Sequence, residues 1–183
     1  MVNIVIEVSK YLLILLIAAY TYWNFSYFRF RDPWQQGRVC VRQNAAMFLL
    51  HFVAYAVLFL KSEDERVILF YLAQVVFLAV YLGLYKVFYP LRSRLLVNNM
   101  CMLLCIGFVI LTRLDFDKAI RQFVIVAISA LITWIIPFIL ERVWQLANIP
   151  WVYGFAGLAL LIMVWIIGNN SFGAQLSVNI AGI

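Results

Sequence analysis

Charge is scarce in this chain. Asp, Glu, Lys and Arg together make up 12% of its 183 residues, about half of the ~25% usual in soluble domains. That is too little to cover a water-exposed surface, which excludes a water-soluble globular enzyme. Three cysteines cannot build a disulfide scaffold, and 8 glycines and 4 prolines exclude collagen-like and low-complexity chains. The sequence holds no glycine-rich phosphate loop, no Ser-His-Asp set and no zinc pattern. What it has is apolar length: 67% hydrophobic and 17% aromatic residues, with a mean hydropathy of +0.99.

A bilayer core needs roughly 20 apolar residues per spanning helix. Charged residues act as fences around six uncharged stretches, at 11–28, 43–60, 67–85, 95–112, 122–140 and 143–183. The first five suit one crossing each. The last contains Gln145, Asn148 and Pro150, so its helix is expected to start near Pro150 and end near Gly168. The stretch 67–85 (VILFYLAQVVFLAVYLGLY) is apolar on every face, unlike the alternating strands of a membrane β-barrel. The expected fold class is therefore all-α, a polytopic membrane protein of six transmembrane helices. The leading segment MVNIVIEVSK is neutral and apolar, which argues against a cleaved signal peptide.

Lys and Arg set the expected orientation. With the N-terminus outside, segments 26–44, 86–94 and 141–149 lie inside and hold Arg29, Arg31, Arg38, Arg42, Lys86, Arg92, Arg94 and Arg142. Outside would lie Lys10, Lys61, Arg66, Arg113, Lys118 and Arg121, with segment 61–66 carrying more acids than bases. The reading is N-out and C-out. Aromatic residues mark two interfaces at the inner ends, Trp23, Tyr27, Phe28, Phe30 and Trp34 at one, Tyr85, Phe88 and Tyr89 at the other. The net charge of +6 then belongs to loops facing anionic membrane lipid, and no nucleic-acid partner is expected.

Few residues carry chemistry. His51 is the single histidine and lies inside the second span, where an ionisable group suggests function; as a neutral imidazole it can instead hydrogen-bond a neighbouring helix. Cys101 and Cys105 sit four apart on one helix face without the further ligands a metal needs, so they read as small packing residues. Cys40, in the basic segment 26–44, could be acylated. Glu63, Asp64, Glu65, Asp115 and Asp117 fall in short outward connections, and Asp117 is expected to cap the helix beginning at Lys118 with Arg121 as ion-pair partner. Pro137 is expected to kink the fifth span, and Gly154, Ala156, Gly157 and Ala159 offer the sixth a face for close helix packing. No catalytic, cofactor-binding or metal-ligating residue is assigned.

From Leu95 onward four features carry a resemblance: GFVILTRL at 107–114, Gln122 opening the next span, PWVY at 150–153 leading to Gly168, and GAQLSVNIAGI at 173–183. These resemble the first three helices of the SEDS family of RodA-, FtsW- and SpoVE-type proteins, and the last stretch is similar to the family's GA-x-x-W-I-x-I-G-G run. Gln175 and Ser177 stand where the family commonly has a basic residue and Trp. A Gln-Pro-Ser-Glu signature would be expected just after Ile183.

The resemblance divides the chain into an N-terminal three-helix extension, 1–94, and an incomplete SEDS-like membrane domain, 95–183. It implies a bacterial plasma-membrane protein in cell-wall elongation, division or sporulation. The family polymerises peptidoglycan strands from a lipid-linked precursor beside a transpeptidase (penicillin-binding protein), using a carboxylate in a later outer loop, so this part alone is expected to be inactive. The alternatives are a non-enzymatic six-helix module, as a sensor input or scaffold for cell-wall proteins, and a small transporter using His51, Gln74 and a few Ser and Thr.

Overall fold

The computed structural model describes residues 2–89, 93–142, 150–167, 169–171 and 174–177. These form six helices, α1 (Val2–Arg29), α2 (Pro33–Ser62), α3 (Glu65–Phe88), α4 (Arg94–Leu114), α5 (Phe116–Arg142) and α6 (Pro150–Ile167). A short antiparallel pair follows, β1 (Asn169–Ser171) with β2 (Ala174–Ser177), in register Asn169 opposite Ser177 and Ser171 opposite Ala174. The architecture is all-helical as expected, with this one short strand pair added after the last helix. The first five helices are long and apolar enough to cross a membrane.

The helices overrun the charge fences, because a charged side chain at a helix end reaches water without breaking the backbone ladder. The basic segment 26–44, expected as a loop, is almost entirely helical: only Phe30, Arg31 and Asp32 separate α1 from α2. Asp32 caps α2, its carboxylate accepting from the Trp34 N–H at 3.1 Å, and Pro33 takes the first helical position where its missing N–H costs nothing. Glu63 and Asp64 alone join α2 to α3. Glu63 closes α2 in the left-handed region (φ 53°), donating its N–H to the Phe59 carbonyl at 2.8 Å, and Asp64 caps α3 through the Arg66 N–H. Ser93 caps α4.

A single residue, Asp115, turns α4 into α5. Its N–H donates to the Leu111 carbonyl, and its Oδ1 accepts from the Lys118 N–H at 3.1 Å. Asp115 therefore caps this helix, where Asp117 was expected to. The ion pair is Lys118 Nζ with Asp115 Oδ2 at 3.2 Å, with no Asp117–Arg121 pair among the described residues. The helix starts at Phe116, two residues earlier than that expectation placed it.

Residues 1–127 make one compact unit, with α2 at its centre and α1, α3 and α4 packed against it. The inward stripe of α2 is Val39, Gln43, Met47, Leu50 and Ala54; that of α4 is Asn98, Cys101, Cys105 and Phe108. Both repeat every three or four residues, as one helix face requires. The first turns of α5 join this unit through Ala119 and Phe123, with Phe123 edge-on to Phe70 and Phe108 at 5.6 Å.

Residues 128–183 form a second unit. It holds the remainder of α5, which continues as helix past Pro137 to Arg142, and α6, whose start at Pro150 agrees with the expected one. Gly154, Ala156, Gly157 and Ala159, expected to pack against another helix, are all exposed, and a Cβ on either glycine would meet nothing within 4 Å among the described residues. Gln145, Asn148, Gly168 and parts of the 173–183 stretch lie outside the described residues.

Candidate functional site

Of the described buried polar side chains of the first unit, Gln43, His51 and Asn98 lie on the α2–α4 seam, Gln74 on α3 and Ser9 on α1. Near the end where α2 and α4 start, Asn98 donates Nδ2 to the Cys40 carbonyl at 3.1 Å and to Gln43 Oε1 at 3.3 Å. One residue on, Asn99 faces α1. It donates to Asn24 Oδ1 at 3.0 Å, and its own Oδ1 accepts from Asn24 at 2.7 Å and from the Tyr20 hydroxyl at 3.0 Å. Two adjacent asparagines so tie α4 to α2 and to α1. In an apolar surrounding such amide pairs replace the hydrophobic drive that lipid cannot supply between helices.

A second polar group lies farther along the bundle. His51 and Gln74 are fully buried, and neither the imidazole nitrogens nor the Gln74 amide atoms reach a partner in hydrogen-bond geometry among the described residues. The expectation that His51 bonds a neighbouring helix is therefore corrected: it is held by rings, 4.8 Å from Tyr55 and stacked 5.3 Å from Tyr71. The Gln74 amide lies beside the Tyr55 hydroxyl, which interacts with it but bonds in good geometry to Thr112 Oγ1 at 2.8 Å. Between the two polar groups run Met47, Leu50, Cys101 and Cys105, all buried.

Cys101 and Cys105 share the inward stripe of α4, in keeping with a packing role. Cys40 lies in α2 and is buried, which corrects its placement in an accessible basic loop and removes the exposure that acylation needs. Among the described residues no three His, Cys, Asp or Glu side chains converge as metal ligands would.

The acids expected to face outward all sit at helix ends. Asp64 and Asp115 cap α3 and α5, Glu63 closes α2, and Glu65 and Asp117 sit in first turns, where a carboxylate favours the helix dipole. The Lys118 backbone N–H, helped by its ammonium group, holds the Asp115 carboxyl below the usual carboxylate range. A carboxylate kept ionised in this way suits a cap and is a poor proton acceptor.

Asn24, Gln43, Asn98 and Asn99, which make these inter-helix bonds, were not singled out in the sequence. A signal existed: Asn98 precedes Cys101 and Cys105 by three and seven residues, on the same helical stripe. No protein-family model, curated protein or solved structure matches the chain. The seam can set helix pairing. It presents no nucleophile activated by a neighbouring base.

Proposed function

We propose that the chain is the N-terminal membrane part of a SEDS-type peptidoglycan polymerase in the bacterial plasma membrane, crossing it six times with both ends outside. What supports this reading is that two of the resembling segments fall at helix ends and Gln122 falls early in α5. GFVILTRL ends α4 at Leu114, Gln122 lies in the second turn of α5, and Pro150, Trp151, Val152 and Tyr153 open α6. The lipid-linked disaccharide-pentapeptide and a transpeptidase are then partners of the whole polymerase. Residues 1–183 contribute scaffold, because their outward acids serve as caps and helix-end charges.

The test is the reading frame after Ile183, followed by reconstitution. The proposal requires a Gln-Pro-Ser-Glu within the next few codons. The extended protein, purified with its transpeptidase and lipid-linked precursor, should make glycan strands, while residues 1–183 alone should make none above background. A stop codon directly after Ile183 would favour the scaffold module. Polymer made by 1–183 and lost on Asp115→Ala would relocate catalysis to the α4–α5 turn.

A further inference from the structure

The basic residues of two segments far apart in sequence meet at one end of the first unit. Lys86 from the last turn of α3 and Arg94 from the first residue of α4 line a cleft of about 240 Å³, with Gly37, Asn44, Gly83 and Asn98 as its other polar or open walls. An adjoining cleft of about 440 Å³ shares Gly37, Val41 and Arg94 and adds Trp34, Arg38 and Arg42. Four cations from three helices therefore border this recess of two adjoining clefts. Among the described residues no carboxylate lines either part, and the ion pairs present, Lys10–Glu7 and Lys118–Asp115, involve none of the four. Like charges gathered without a counter-charge repel one another, and an anion relieves that repulsion.

We propose that this recess binds the phosphodiester headgroup of an anionic membrane lipid. Basic pockets between transmembrane helices at the membrane surface take such headgroups. Three details shape the occupant. Arg38 stacks over the Trp34 ring at 3.9 Å, which places a cation beside an aromatic residue suited to headgroup depth. The Asn44 Oδ1 is buried without a partner and lies on the wall of the smaller cleft, so a hydroxyl-bearing headgroup such as glycerol can donate to it. Val41 lines both clefts and is 68% exposed, giving an acyl chain an apolar surface directly beside the phosphate site. That last feature favours a lipid over a soluble phosphate. Gly37 lies on the wall shared by both clefts, where a Cβ would lie 3.4 Å from Arg94 Nη1 and a larger side chain would enter the recess.

The purified 183-residue chain, titrated in neutral detergent with dioctanoyl phosphatidylglycerol and read by native mass spectrometry, tests the site. Binding should exceed that of dioctanoyl phosphatidylcholine, and Lys86→Gln with Arg94→Gln should weaken it about tenfold. Gly37→Leu, which fills the recess and leaves every charge in place, should weaken it to a similar degree. Arg113→Gln, at the other end of α4, should leave it within about twofold. Circular dichroism and elution volume identify any variant that fails to fold, and Gly37→Ala is the milder form of the filling variant. Equal binding by wild type and the double variant would overturn the proposal. So would an equal loss in Arg113→Gln, which would mean diffuse attraction. Glycerol 3-phosphate competing as well as the lipid would overturn the lipid as the source of the phosphate.

Discussion

α4 and α6 have similar lengths, 21 and 18 residues, and α6 is the more apolar of the two. They are used differently. α4 buries Leu95, Asn98, Cys101, Met102, Cys105 and Phe108, whereas every described side chain of α6 is exposed. The difference follows polar content. α4 carries Asn98, Asn99 and Thr112, each hydrogen-bonded to another helix, while residues 151–163 of α6 hold no amide and only one hydroxyl, that of Tyr153. Apolarity brings a helix into lipid but does not choose its neighbour there. Hydrogen-bonding side chains and tight packing do.

The largest expected effect is at Asn98. Asn98→Leu strands Gln43 Oε1 and removes a donor from the Cys40 carbonyl, so unfolding in mixed micelles should show a loss of about 1–3 kcal/mol. Next comes the amide pair on α1. A double-mutant cycle over Asn24→Ala and Asn99→Ala should return a coupling of about 0.6–2 kcal/mol. No coupling would mean that α1 is held by shape alone.

His51 sharpens the comparison from the opposite side, because it is as buried as Asn98 but has no partner to lose. His51→Leu should be near neutral, within about 1 kcal/mol, since removing an unpartnered buried polar group leaves nothing stranded. His51→Gln should likewise insert and fold. A large loss in both would give the imidazole a bonding role that its geometry lacks.

Smaller effects are expected at the turn and on α6. The lowered Asp115 carboxyl contributes stability above the unfolded-state value of about 3.9, and that contribution disappears as pH falls through the lower folded value. Asp115→Asn should therefore flatten the acid limb of a pH–stability profile below about pH 4 and change little at neutrality. Gly157→Leu on α6, where a Cβ would meet no described atom within 4 Å, should shift the unfolding midpoint by less than the error of measurement.

Much of this was legible in the sequence. The uncharged stretches located all six helices, and Pro150 located the start of the last, because punctuation and apolar length are local properties. The helix ends were less legible. Arg38, Arg42, Lys86 and Arg94 read as loop residues, yet their long stems let them remain helical, which erased the expected loop at 26–44. The cap at Asp115 was displaced by two residues for the same reason: charge marks a boundary only to within a turn. The seam was hardest to read, since the partners of Asn98 and Asn99 lie 55 to 79 residues away. The short strand pair, 169–171 with 174–177, left no mark either, in stretches too short to show a period.

Site-directed thiol labelling tests the central claim most directly, namely that these helices cross a membrane with their basic turns on one side and their acidic turns on the other. The native cysteines are buried and give a quiet background. With a membrane-impermeant maleimide on intact cells, Ser62→Cys should label and Arg31→Cys should label only after permeabilisation. Labelling of Arg31→Cys but not Ser62→Cys in intact cells would invert the orientation and undercut the proposed function. Equal labelling of both would contradict a membrane crossing by α2.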